Sequence, residues 1–86
     1  MRAADKLLAA GYEDVTILDA YSYDDALIGV TDDGRAVYDF DKMVAWLMAT
    51  EGMAEIEAIE WIECNTIRAL GYAGPDAPVV MYALKD

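Results

Sequence analysis

Apolar and polar positions alternate along this chain in two rhythms, and the switches between them mark its elements. From Arg2 to Ala10 the apolar residues Ala3, Ala4, Leu7, Leu8 and Ala10 follow a helical period. Gly11 then supplies the left-handed residue that suits a helix end. The run Val15–Ala20 is rich in β-branched residues and reads as a first strand, cut off by the polar turn formers of Tyr21-Ser22-Tyr23-Asp24-Asp25. Ala26–Thr31 and Arg35–Tyr38 read as two more strands. Asp32-Asp33-Gly34 between them is a strong hairpin signal, because a tight turn needs positive φ.

Beyond Tyr38 the period changes. Asp39 or Asp41 would cap a helix whose stripe is Met43, Val44, Leu47 and Met48, with Phe40 one turn earlier and Trp46 partly off it. Gly52 ends that helix. Another starts near Ala54, with Ile56, Ile59 and Ile62 in line with Thr66 or Ile67, and bends or ends near Ala69 and Leu70. Gly71–Pro78 is a loop, and Val79–Tyr82 is a last strand. The order predicts an α+β fold in one domain, residues 1–86: a short N-terminal helix, an antiparallel β-meander, two helices on one sheet face, and a final C-terminal strand.

Composition fits that reading. Two Trp, six Tyr and a 57% apolar content belong to a folded chain rather than a disordered acidic one. The single cysteine, Cys64, cannot form an internal disulfide and fits a reducing cytoplasm; it reads as a small packing residue. No stretch resembles a signal-peptide core or approaches the roughly 18 apolar residues of a membrane helix. The expected location is therefore cytoplasmic.

Chemistry is sparse. The chain has no histidine, which removes the commonest general base and zinc ligand. Its glycines are scattered, without a phosphate-cradling pattern. Asp32, Asp33, Asp39 and Asp41 do not meet calcium-loop spacing. The expectation is a non-enzyme without metal or cofactor.

Charge is the feature that remains. Seventeen acidic residues against six basic ones give a net charge of −11, which opposes direct contact with nucleic acid or an anionic membrane. Between Asp19 and Asp41 stand seven Asp and one basic residue, Arg35, bracketing the predicted strands. From Glu51 to Glu63 there are five Glu and no Lys or Arg. Glu57, Glu60 and Glu63 are three apart and form a like-charged ridge, which costs a helix a few tenths of a kcal/mol per pair. Solubility alone would accept mixed signs, so the ridge points to a surface that attracts a basic partner. Candidate partner-binding residues are Asp24, Asp25, Asp32, Asp33, Glu57, Glu60 and Glu63, with Tyr21 and Tyr23 expected in an exposed turn suited to a protein–protein contact.

The stretch Tyr23–Ala26 and Gly29–Asp39, with Met43-Val44 and Trp46-Leu47, and the run Glu57–Ala69 together resemble a group of small acidic proteins of unknown function carried by phages and prophages of gut bacteria. Accessory proteins of that origin include many anti-CRISPR proteins. The resemblance implies an inhibitor that presents acidic residues to a nucleic-acid-binding effector. It transfers no site residue. The competing reading is a non-catalytic interaction module or homodimer using exposed Tyr, Met, Trp46 or Trp61 surfaces.

Overall fold

In the computed structural model, which describes residues 1–85, the first helix α1 spans Ala3–Ala9. Arg2 offers it no side-chain cap, and the Ala3 N–H instead donates to Asp24 Oδ1 at 2.7 Å. A residue far along the chain thus satisfies one of the free N–H groups of this helix end. Lys6, on the same helix, donates through Nζ to the carbonyls of Asp24 and Leu27, the latter at 3.1 Å. Ala3 and Leu7 face the core.

The predicted strand at Val15–Ala20 does not form. Among the described residues, the only hydrogen bond made by residues 13–22 is from the Leu18 N–H to the Tyr38 hydroxyl, at 3.2 Å. Val15, Ile17 and Leu18 are half-buried against the core, so their apolar pattern records burial rather than pairing. Beside residues Leu27–Val30 lies α1, whose Lys6, Leu7 and Ala10 share a groove with them.

A short 3₁₀ turn, Asp24–Ala26, leads into β1, Leu27–Val30, and β2 follows at Ala36–Asp39. The two pair antiparallel with a bulge between Leu27 and Gly29, so the predicted hairpin is present. Its turn is not a two-residue one. The Gly34 N–H donates to the Thr31 carbonyl at 3.0 Å and only Gly34, at φ +84°, is left-handed, which is the longer loop with glycine in the final position. Thr31 secures it by donating its hydroxyl to Asp33 Oδ1 and accepting from the Arg35 N–H at 2.9 Å.

Asp39 ends β2 and caps α2, Phe40–Glu51, accepting from the Lys42 N–H at 3.2 Å. Gly52, at φ +70°, stops the helix. Phe40, Met43, Val44 and Leu47 are buried, whereas Met48, expected on the same stripe, is exposed. Helix α3, Glu55–Trp61, continues without a break into a wider π segment, Ile62–Ile67, and a last α turn, Arg68–Leu70. Its buried line is Ala58, Ile62 and Thr66, not the Ile56–Ile59–Ile62 stripe; Ile56 is exposed. Residues four apart drift around an α-helix of 3.6 residues per turn. The looser π winding brings Thr66 back into line with Ala58 and Ile62. Cys64 falls on the outer side and is exposed, so it is not a packing residue.

The third strand, β3, is Val79–Met81, and the sheet order is β1-β2-β3. It pairs with β2 parallel, Tyr38 opposite Val80, so the sheet is mixed and the antiparallel meander is corrected. Helix α3 runs on through the π segment to Leu70, and residues 71–78 bring the chain to the Arg35 end of β2. There Arg35 Nε donates to the Ala77 carbonyl at 2.8 Å. Entry at that end makes the strand parallel. The α+β class holds, with one core built from Leu27, Ala36 and Tyr38 of the sheet, the inner residues of α2 and α3, and Ala3 and Leu7. No helix among the described residues is long and apolar enough to cross a membrane.

Candidate functional site: the acidic surface and the aromatic cluster

The hairpin separates the acidic residues that the sequence places around it. Asp24 and Asp25 precede β1, at the end of the sheet where β2 runs into α2, while Asp32 and Asp33 lie in the turn at the opposite end. Asp25, Asp32 and Asp33 are exposed. Asp24 is half-buried and occupied in holding α1, and Asp33 accepts from Thr31, so both carry structural bonds as well as charge. On α3, Glu57, Glu60 and Glu63 are all exposed. Glu57 reaches back to accept from the Ala54 N–H at 3.3 Å and so supports the helix start.

The basic residues do little to neutralise these groups. Among the described residues the single ion pair is Lys85–Asp41, at 3.1 Å and largely in solvent, where such pairs contribute little. Lys6 and Arg35 direct their polar heads to backbone carbonyls. The carboxylates of Asp25, Asp32, Glu60 and Glu63 therefore stand free of internal partners among the described residues. Their field projects into solvent, screened over about 8–10 Å at physiological salt.

Tyr21 and Tyr23 do not form an exposed turn. Tyr21 is half-buried and Tyr23 is 1% exposed. The Tyr21 ring lies 4.8 Å from Trp61 and 5.9 Å from Trp46; Tyr23 lies 5.3 Å from Trp46 and 6.3 Å from Tyr38. Edge-on and tilted aromatic pairs at such separations add roughly 0.5–1.5 kcal/mol each beyond burial. The two tryptophans are thereby drawn into the same cluster rather than left as free faces. The polar spacing of the Tyr-Ser-Tyr-Asp-Asp run suggested a surface loop, and only the tertiary placement of α2 and α3 over it buries the rings.

Tyr23 is unusual in two further ways. Its backbone is left-handed, φ +46° and ψ +47°, a conformation that costs a bulky residue about 1–3 kcal/mol. Its hydroxyl is buried with no partner at hydrogen-bond geometry among the described residues; Thr66 is near enough to favour the ionised form slightly. Burial outweighs that and pushes the Tyr23 phenol above its ordinary value of 10.0. Tyr38 is raised for the same reason, despite the Leu18 N–H it accepts. Neither feature is visible in sequence, although a Tyr at a turn followed by two Asp marks where strain could be placed.

No protein-family model, curated protein or solved structure matches the chain.

Proposed function

We propose that this protein is an acidic inhibitor of anti-CRISPR type, which docks on a basic nucleic-acid-binding effector in the cytoplasm of a bacterial host and blocks its DNA or RNA binding. The observation that carries the reading is the unneutralised acidic surface. Seventeen acidic residues face six basic ones, and the described residues make one solvent-exposed ion pair. Solvated carboxylates on turns and on the outer side of a helix can stand in for phosphates in a Lys/Arg-lined groove. Long-range attraction speeds the encounter more than it tightens the final contact.

Of the candidate residues, Asp25, Asp32, Glu60 and Glu63 make no side-chain hydrogen bond or ion pair among the described residues, which keeps a test of their charge clean. Asp24, Asp33 and Glu57 combine charge with hydrogen bonds that hold the fold. Tyr21 contributes its exposed edge at most, and Tyr23 none, because it is buried. The protein has no catalytic role in this mechanism; occupancy of the groove is sufficient.

The test is capture of partners from nuclease-treated bacterial lysate at low salt, elution on a salt gradient, and an anisotropy assay of the eluted effector on labelled DNA or RNA. The fourfold variant Asp25→Asn, Asp32→Asn, Glu60→Gln, Glu63→Gln should keep its circular dichroism and thermal midpoint. It should also lose inhibition by at least tenfold. A folded fourfold variant that inhibits fully would sink the mechanism, as would partners that go on binding nucleic acid in the complex.

A further inference from the structure

Behind the aromatic cluster lies a cleft of about 380 Å³, walled by residues 16–21 on one side and by Trp61, Thr66 and Leu70 on the other. That volume is within the range of small-molecule sites. Three independent features converge on it. One wall is the π segment, a winding found frequently at functional sites. The Tyr23 side chain closes its inner end, held there by a left-handed backbone, with its hydroxyl unpaired. The facing wall is a segment held by side-chain packing and, among the described residues, by the single Leu18–Tyr38 hydrogen bond, so its backbone can yield to an entering molecule.

We infer that this cleft binds a small, uncharged, planar aromatic molecule carrying one hydrogen-bonding group, with its ring against Tyr21 and Trp61 and its polar group on Tyr23 and Thr66. The lining residues include no Lys or Arg, and Asp19 stands at the rim. An anionic ligand would therefore enter against the charge of the cleft as well as that of the whole protein. Aromatic walls select a flat ring. The Tyr23 hydroxyl is covered at the inner end of the cleft and is reached as the facing segment yields; it then selects for a polar atom, since a purely apolar guest leaves it as unpaired as before. Asn65 already donates its side-chain amide to the Trp61 carbonyl at 3.0 Å and so braces the π turn instead of facing the guest as a donor.

Indole and 4-methylphenol serve as probes, with benzoate as the anionic control, each titrated into the full chain and followed by amide nitrogen–proton correlation spectra. Saturable shifts are expected at Tyr21, Thr66, Ala69 and Leu70 for the neutral probes and none for benzoate. Tyr23→Phe, which removes one hydrogen bond, should weaken binding roughly three- to tenfold. Ala69→Trp, at an exposed position on the cleft's edge, should block it while leaving Tyr23 in place. The inference is overturned by the absence of saturable shifts, by equal response to benzoate, or by unchanged affinity in folded Tyr23→Phe. A tryptophan-containing peptide that shifts these amides when free aromatics do not would also overturn it, assigning the cleft to a partner's side chain.

Discussion

Tyr23 and Tyr38 permit one chemical change to be made twice with opposite results. Each is buried, 1% and 0% exposed, and Tyr→Phe removes a single oxygen from each. At Tyr38 that oxygen accepts the Leu18 N–H at 3.2 Å. Deleting it loses a bond with a net contribution of about 1 kcal/mol and leaves a half-buried N–H without a partner, so Tyr38→Phe should destabilise by about 1–2 kcal/mol. At Tyr23 the oxygen has no partner at hydrogen-bond geometry among the described residues, so little offsets its desolvation in the folded state. Tyr23→Phe should therefore stabilise the protein, by about 1 kcal/mol. The two variants should stand about 2–3 kcal/mol apart, which for a chain of this size is roughly 10–20 °C in Tm. Urea unfolding of both, with tryptophan fluorescence and circular dichroism tracked together, measures the difference. A Tyr23→Phe protein less stable than the parent by more than about 0.5 kcal/mol would refute the reasoning, because the hydroxyl would then be well bonded, with Thr66 as its partner. If the cleft binds as inferred, the same variant is steadier and binds more weakly, a common exchange at functional positions.

Other outcomes follow from the same structure. Because Tyr23 and Tyr38 titrate above 10.0 when folded, the unfolded chain loses their protons first. Stability should then be insensitive to these groups below about pH 10 and fall above it, by up to about 1.4 kcal/mol per pH unit for each. Tyr23→Phe should lower that slope, and chemical denaturation at pH 9, 10 and 11 checks the sign. Asp39→Ala removes the α2 cap and should cost about 1 kcal/mol, seen as a lower urea midpoint with unchanged slope. Gly52→Ala forces an L-residue into φ +70° and should cost roughly 1 kcal/mol by the same measurement, whereas Gly29→Ala, where φ is ordinary and nothing crowds a Cβ, should cost less.

The elements that local chemistry dictates were readable from the sequence. The hairpin at Asp32–Gly34, the Asp39 cap and the Gly52 stop each depend on residues within a few positions of one another. What was not readable depends on distance. Val15–Ala20 has the residues of a strand but pairs with no edge of the sheet, and its apolar side chains pack against the core instead. The direction of β3 depends on where residues 71–78 deliver the chain, which no period reveals. The burial of Tyr23 depends on Trp46 and Thr66 arriving from two different helices. Among the candidate residues, the exposure of Asp25, Asp32, Asp33 and the glutamate ridge agrees with the polar runs they occupy. Asp24 and Tyr23 were drawn inward by partners that the local pattern does not contain.

The parallel pairing of β3 also orders events during synthesis. Arg35 and Ala77, joined across the sheet, are 42 residues apart in the chain. The hairpin closes over a few residues and can form as soon as it leaves the ribosome, whereas the third strand is made last and must close a long loop to dock. Until then β2 has an open edge beside it, and the nascent chain exposes the apolar inner side of α2. An acidic chain is suited to that interval, since mutual repulsion keeps unfinished copies from pairing through the vacant edge.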